Sequence, residues 1–107
     1  MNSLNLILIE GNLTADPELT HTEKGEALCT FHIESHYSYK QDDEHQKEIS
    51  CFNIITWGRL AEVCVEYLKK GSGVRIVGQL KQDRWKAAND TERSRVYIVA
   101  EHVEFKA

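Results

Sequence analysis

Trp85 stands within a run of basic residues in the second half of the chain. Lys81 and Arg84 precede it and Lys86 follows it, with no apolar residue between Leu80 and the ring. An aromatic ring can stack on any nucleobase, while lysine and arginine neutralise phosphates, so this combination suits a stacked base beside a phosphate. The polar surroundings predict an exposed ring rather than a core residue.

A short amphipathic helix is predicted between Trp57 and the strand that carries Trp85. From Arg59 onward, apolar residues recur at the spacing of one helical face. Two lysines followed by Gly71 are typical of a helix end. The apolar positions of this face are Leu60, Val63, Cys64, Tyr67 and Leu68. Trp57, at the junction of strand and helix, is predicted either to stack on a base or to belong to the core.

Alternating hydrophobicity and turn residues predict five strands around this helix. The first strand is the nearly continuous apolar run at residues 4–9, which we expect to be covered on both faces and to end at Gly11-Asn12. Residues 12–26 are predicted to form a long connection, and residues 41–48, which are all polar, a hairpin loop. The other strands are predicted at residues 28–39, 49–57, 74–81 and 94–105, with a turn at residues 87–90.

The order of these elements is three strands, one helix and two strands. It matches an all-β OB-fold, a five-stranded Greek-key barrel with one helix between strands 3 and 4. A parallel sheet would need alternating strands and helices, and an immunoglobulin-like sandwich would need more strands and no helix. A length of 107 residues allows one domain, residues 1–107, with one functional surface.

Charge is distributed unevenly along the chain. The formal net charge is −4, yet residues 1–57 carry three lysines against ten carboxylates, while residues 58–107 carry ten lysines and arginines against seven carboxylates. Nucleic acid must therefore be bound by a local basic strip, in a salt-sensitive manner. The sequence has no long apolar run and no secretory leader pattern, which predicts a soluble cytoplasmic protein without membrane contact.

The sequence contains no pattern typical of catalysis or of a metal site. The cysteines Cys29, Cys51 and Cys64 lack Cys-x-x-Cys spacing and are predicted to be reduced. His32 and His36, four apart on a predicted strand, are too distant to share one metal ion. We find no Ser/His/Asp set or phosphate loop. The protein is therefore predicted to be no enzyme and to need no cofactor or metal.

Four motifs in the correct order give a resemblance to a known family. They are Gly11-Asn12-Leu13 with Asp16-Pro17-Glu18-Leu19, then residues 57–63 (Trp-Gly-Arg-Leu-Ala-Glu-Val), then residues 67–72 (Tyr-Leu-Lys-Lys-Gly-Ser), and finally Gly78-Gln79-Leu80 followed by Trp85. Over nearly the whole chain the sequence resembles bacterial single-stranded DNA-binding proteins. In that family, DNA wraps over aromatic side chains while cations neutralise its backbone.

The resemblance implies roles for particular residues. The family's stacking aromatics fall on Tyr39, Trp57 and Trp85, and a fourth stacking position falls on Cys51, which has no ring. Asn53 and Asp83 stand where the family often has cations. The implied phosphate-binding residues are Lys40, Arg59, Lys69, Lys70, Lys81, Arg84, Lys86 and Arg93. Fewer cations and one ring fewer predict weaker binding than is typical of the family.

The resemblance also implies a biological setting. Family members coat single-stranded DNA in replication, recombination and repair, act at the nucleoid, and usually assemble as homotetramers. They usually continue into a flexible linker and an acidic tip that recruits other proteins, whereas this sequence ends at Ala107, so we expect that tail to be lacking. The alternative interpretation is an OB-fold accessory or protein-interaction subunit with weakened DNA binding.

Overall fold

The computed structural model describes residues 2–106, which form six strands and one helix. The elements in chain order are β1 (Ile7–Leu13), β2 (Glu18–His21), β3 (Ala27–Gln41), β4 (Glu44–Trp57), α1 (Gly58–Tyr67), β5 (Gly73–Lys86) and β6 (Glu92–Phe105). The helix thus follows the third long strand and precedes the fourth, as the sequence predicts.

Five of the strands close into a barrel. The strand order is β1-β5-β6-β4-β3, and pairing of β1 with β3 closes the ring, while the short β2 extends the sheet beyond β3. All neighbours are antiparallel except β4 and β6, which pair in parallel at Ile54–Ile98 and Ile55–Val99. A closed five-stranded barrel with its helix in this position is the predicted OB-fold.

The barrel core consists of inward-pointing residues that alternate along the strands. Phe31 and Ile33 of β3 face Ile54 of β4 and Ile98 of β6, and each of these side chains is at most 2% exposed. Burying side chains of this size contributes roughly 1.5–3 kcal/mol each. Ala61, Cys64 and Leu68 of the helical segment complete the core at one end of the barrel.

The helix begins near the predicted position but ends at Tyr67, where Leu68 is already extended, so Lys69, Lys70 and Gly71 lie beyond it instead of closing it. Gly58 starts α1 at φ 62°, and Gly71 takes φ 90° beyond its C-terminal end. The predicted apolar face is correct for Cys64 and Leu68, which are buried. Tyr67 is 65% exposed instead, and its ring lies 6.1 Å from that of Phe105.

The prediction for the first strand is wrong in its position and its burial. β1 runs from Ile7 to Leu13, and the side chains of Leu4, Leu6 and Leu8 are 95%, 66% and 69% exposed. Gly11 does not end the strand. It permits close approach to β3, because a Cβ atom at this position would overlap the carbonyl group of Glu34.

Two predicted loops also differ from the structure. The connection at residues 12–26 contains β2, and the polar segment at residues 41–48 is mostly strand. Asp42 and Asp43 alone form the turn, at φ 51° and 65°, and the pairing of β3 with β4 continues to Gln41–Glu44. Aspartate tolerates this left-handed conformation, which two-residue hairpin turns require. β3 and β4 therefore extend into a two-stranded arm, residues 35–50, which we call the β3–β4 arm.

β5 and β6 form a second arm of the same kind. Their pairing continues to Lys86–Glu92, and the predicted turn at residues 87–90 is confirmed by hydrogen bonds of Ala87 with Thr91 and Asp90. We call residues 82–96 the β5–β6 arm. The molecule is accordingly elongated, with extents of 54 × 39 × 34 Å.

Candidate nucleic-acid interface

Alternation along β4, β6 and β5 gives these strands one outward-pointing set of polar and aromatic residues. Ile54 and Ile98 point into the barrel, so their neighbours in sequence point outward. We call this surface the outer face. Its members are Cys51, Asn53 and Trp57 of β4, Lys81, Asp83 and Trp85 of β5, and Arg93, Arg95 and Tyr97 of β6.

The β5–β6 register brings rings and cations together on this face. The directly opposed pairs are Lys81–Tyr97, Asp83–Arg95 and Trp85–Arg93. Side chains in such pairs lie about 4.5–5.5 Å apart at Cβ. Trp85 is 48% exposed, as the sequence predicts for a ring among cations. The strip therefore places an accessible indole directly beside a guanidinium group.

Asp83 lies at the centre of this strip and binds two of its neighbours. Arg95 donates to Asp83 Oδ2 from Nη2 at 3.3 Å and from Nε at 3.4 Å, and the Tyr97 hydroxyl donates to Oδ1 at 3.1 Å. The Arg95 guanidinium carbon lies 5.3 Å from the centre of the Tyr97 ring. Burial, and then the Asp83 hydrogen bond and charge, raise the pKa of Tyr97, so its hydroxyl stays protonated as a donor.

Neither Arg95 nor Tyr97 is among the residues to which the resemblance assigns a role in DNA binding. The strand pairing shows that both belong to the strip around Trp85. The missed signal is the odd-numbered alternation Arg93, Arg95, Tyr97, which places two cations and a ring on one side of a strand.

Arg84 and Lys86 lie on the opposite side of the β5–β6 arm from Lys81. They line an open hollow of about 500 Å³. Gln82, Trp85, Glu92, Arg93 and Ser94 complete its lining. Lys86 also approaches Asp90 at 3.7 Å. The arm consequently carries cations on both sides, with Trp85 and Arg93 lining the hollow as well as belonging to the outer face.

Trp57 and its neighbour Arg59 lie where β4 gives way to α1. The Trp57 ring is 41% exposed, so it is reachable from the outer face although it also contacts the protein. Arg59 forms an exposed ion pair with Glu62 at 3.5 Å. Such surface pairs are weak and exchange readily with another anion.

Lys69 and Lys70 follow the other end of the helix. The ten residues of α1 separate them from Trp57 by about 15 Å along the helix axis. The backbone N–H of Lys70 donates to Asp16 at 2.8 Å, which fixes this turn and leaves both lysine side chains exposed. These two cations form a group apart from the β5–β6 strip.

Tyr39 and Lys40 lie far out on the β3–β4 arm. Tyr39 is eleven positions along β3 from Leu28, the partner of Trp57, which corresponds to about 36 Å. Alternation places it on the opposite side of the ribbon from Trp57. Its ring stacks on Tyr37 at 5.8 Å, and Lys40 lies 3.8 Å from Asp43. Tyr39 is thus not grouped with the two tryptophans.

β4 and β6 pair at two positions, Ile54–Ile98 and Ile55–Val99. A second hollow, of about 270 Å³, lies between the two strands on the N-terminal side of these positions. Cys51 is exposed at its wall, with Asn53 beside it. The remaining lining is mostly apolar or aromatic: Phe52, Leu80, Val96, Tyr97 and Ile98. The position where the resemblance implies a fourth stacking ring therefore lies at the edge of an open, largely apolar space between β4 and β6.

Cys29 and Cys64 lie in the barrel core. Burial raises the pKa of Cys64 to about 11 and also raises that of Cys29, so both thiols stay protonated in the core. Within residues 2–106, no three His, Cys, Asp or Glu side chains converge on a point where a metal ion would fit. No helix in the same part of the chain has the length and apolar character needed to cross a membrane.

Comparison with known proteins gives close matches to one family. The sequence profile of the single-strand binding protein family matches residues 4–106. The single-stranded DNA-binding protein of Treponema pallidum is 38% identical over 104 residues, covering 97% of this chain and 58% of that protein. The corresponding protein of Helicobacter hepaticus is 40% identical over 101 residues, covering 94% of this chain and 59% of its own length. The chain thus spans less than two thirds of either relative.

A solved structure shares the fold. The SSB of Plasmodium falciparum in complex with ssDNA superposes with a TM-score of 0.91 over all of this chain and 98% of that chain, at 19% sequence identity. At this level of identity the likeness shows the fold alone, whereas the profile match over residues 4–106 shows the family. The chain belongs to the single-strand binding protein family.

Proposed function

We propose that this protein binds single-stranded DNA without reading its sequence, and that it does so as a non-catalytic coating protein. The observation that carries the proposal is the outer face, where the exposed ring of Trp85 lies among Lys81, Arg93 and Arg95. Rings stack on every base because every base has a π face, and cations contact phosphates that all nucleotides share.

The proposed binding residues lie in three regions: the outer face with the β5–β6 arm, the turn after the helix at Lys69 and Lys70, and the β3–β4 arm. Trp57 and Trp85 stack bases on the outer face, and Tyr39 stacks a further base at the distant β3–β4 arm. The phosphate-binding residues are Lys40, Arg59, Lys69, Lys70, Lys81, Arg84, Lys86 and Arg93, with Arg95 as an addition. A separation of tens of ångströms between groups is compatible with a strand that wraps the barrel, since one OB-fold covers about 4–16 nucleotides.

A fluorescence titration with oligo(dT) tests the proposal directly. Trp57 and Trp85 are the two tryptophans of the chain, so the intrinsic signal reports on the proposed surface alone. We expect quenching at low salt, and the variants Trp57→Phe and Trp85→Phe separate the two contributions. Duplex DNA of the same length is the control. An unchanged signal at low salt would contradict the proposal and favour the accessory-subunit interpretation.

The salt dependence counts the phosphate contacts. Within residues 2–106, five of the eight cations predicted from the resemblance have no carboxylate within ion-pair distance: Lys69, Lys70, Lys81, Arg84 and Arg93. If each contacts one phosphate, the slope of log K against log salt is about −3.5, at roughly −0.7 per contact. A slope near zero would contradict the proposal that these cations contact phosphates.

We further propose that the chain acts as a homo-oligomer, a tetramer by family resemblance, at the cytoplasmic nucleoid in replication, recombination and repair. Support for assembly comes from Leu4, Leu6 and Leu8, whose exposed side chains precede or begin β1. Apolar surface of this kind is costly in water and marks contact sites. Sedimentation equilibrium of the protein gives its mass, and a single-chain mass at micromolar concentration would contradict assembly.

A further inference from the structure

Asp83 is the acidic residue that lies between Lys81 and Trp85 on the outward side of β5, directly opposite Arg95. On this side of β5 lie Gln79, Lys81, Asp83 and Trp85, and on β6 lie Arg93, Arg95, Tyr97 and Val99. A carboxylate at the centre of a cationic strip opposes the binding of phosphate in two ways. It repels the incoming charge, and it occupies the donors that a phosphate would use.

The contacts of Asp83 resemble those that a phosphate oxygen would make. Its two oxygens accept hydrogen bonds from two nitrogens of Arg95 at 3.3 and 3.4 Å and from the Tyr97 hydroxyl at 3.1 Å. Arginine and tyrosine hydroxyl groups are common phosphate ligands. In the free protein the Tyr97 hydroxyl and two nitrogens of Arg95 are therefore engaged by a group of the protein's own chain.

We propose that Asp83 is an internal competitor for phosphate, and that DNA must displace it from Arg95 and Tyr97 to bind at the β5–β6 arm. The inference rests on the proposed single-stranded DNA binding. The side chains of Asp83 and Arg95 are 46% and 57% exposed, so their ion pair is weak enough to exchange. Asp83 thus lowers the affinity of the protein for single-stranded DNA, although Asp83 itself does not contact the DNA.

Replacing Asp83 with asparagine tests the competition. Asp83→Asn keeps the shape of the side chain while it removes the charge, so Arg95 becomes available to a phosphate. We expect oligo(dT) to bind about fivefold more tightly at low salt, with a salt slope steeper by about 0.7. Asp83→Glu, which keeps the charge, should bind like the wild type.

Two further variants separate this effect from a general change in charge. Glu101→Gln removes a carboxylate that bonds to Gln79 nearer the barrel, and Glu104→Gln removes one that contacts Arg75 at the far end of β6. Each should change affinity by less than about twofold, because neither carboxylate is bonded to Arg95 or Tyr97. Equal gains in all three neutralised variants would overturn the competition, since net charge alone would explain them.

Nuclear magnetic resonance provides a readout that does not depend on affinity. As oligo(dT) is added, the carboxylate ¹³C resonance of Asp83 and the Nε–H resonance of Arg95 should move together as their bond is exchanged. If both stay in place at saturation, the pair survives binding and the competition is refuted while DNA binding stands. If the wild type does not bind but Asp83→Asn does, the competition is supported. If neither binds, the proposed function fails and the inference with it.

Discussion

Cys51→Trp should convert the hollow beside Cys51 into a stacking position and tighten DNA binding. The resemblance implies a ring here, and the structure shows an exposed thiol at the wall of a space of about 270 Å³. The indole would point outward from β4, on the same face as Trp57. Of the residues that line the hollow, Asn53 and Tyr97 share this face with Cys51, so the indole would lie beside them with one ring face open to a base.

The size of the effect follows from one added base contact. Base–aromatic stacking contributes roughly 1–3 kcal/mol, which corresponds to about a 5- to 150-fold gain in affinity. Cys51 is exposed and its side chain has no hydrogen bond within residues 2–106, so the cost in folding stability should stay within about 0.5 kcal/mol. The salt slope should not change, because the substitution adds no charge.

The assay compares oligo(dT) binding by the wild type, Cys51→Trp and Cys51→Leu. Leucine adds apolar surface at the same position without a π face, so it separates stacking from the burial of apolar surface. Thermal unfolding of each variant checks that the barrel is intact. A leucine variant that gained as much as the tryptophan variant would refute the stacking argument, as would a tryptophan variant that folds normally and binds no better.

Three other predictions concern the interface and the barrel. Trp85→Ala should weaken binding by about 1–3 kcal/mol, and the remaining quenching of Trp57 measures that loss; unchanged affinity would contradict a stacking role. Gly78→Ala should destabilise the fold by about 1–3 kcal/mol in urea unfolding, because its Cβ would overlap the backbone of Val99. The Lys106 hydrogen bond, at 2.8 Å, lowers the pKa of Glu10. Glu10 therefore contributes stability that is fully present above its unfolded pKa, and the stability difference between wild type and Glu10→Gln should shrink as the pH falls below that value and vanish once the folded carboxylate is protonated.

The sequence predicts the barrel because its signals are local. Alternation such as Cys29, Phe31 and Ile33 reports directly on one buried face, and the spacing of Cys64 and Leu68 reports on another. Gly71 takes a left-handed conformation, which glycine adopts without strain, in the turn that follows the helix. Each of these features depends on residues close in sequence, so it is readable without knowledge of the pairing.

The errors occur where partners distant in sequence decide the structure. The apolar run at Leu4, Leu6 and Leu8 shows that these residues favour burial, but hydropathy does not say whether the same chain covers them. The polar segment 41–48 was predicted to be a loop because it lacks apolar residues. Its hydrogen bonds to β3 form regardless, since backbone groups pair without apolar side chains once Asp42 and Asp43 have made the turn.

The candidate site was incompletely predicted for the same reason. Trp85 and its basic neighbours on β5 are adjacent in sequence and were recognised. Arg95 and Tyr97 join them only through the register that opposes Asp83 to Arg95 and Lys81 to Tyr97. A register shift of one residue would turn both side chains to the other side of the arm. No composition or spacing along β5 alone contains that information.

The two departures from the family pattern should weaken binding through different physical terms. Cys51 removes a stacked base, a contribution that salt hardly affects, whereas Asp83 occupies a cation, a contribution that depends on counterion release. Cys51→Trp should therefore raise affinity by the same factor at every salt concentration, while the gain from Asp83→Asn should shrink as salt rises. On one plot of log K against log salt, the line for Cys51→Trp should run parallel to that of the wild type, and the line for Asp83→Asn should converge with it as salt rises. This result would assign Cys51 to the stacking contribution and Asp83 to the electrostatic one. A tryptophan variant whose gain also disappears at high salt would mean that the hollow at Cys51 acts on phosphate rather than on a base.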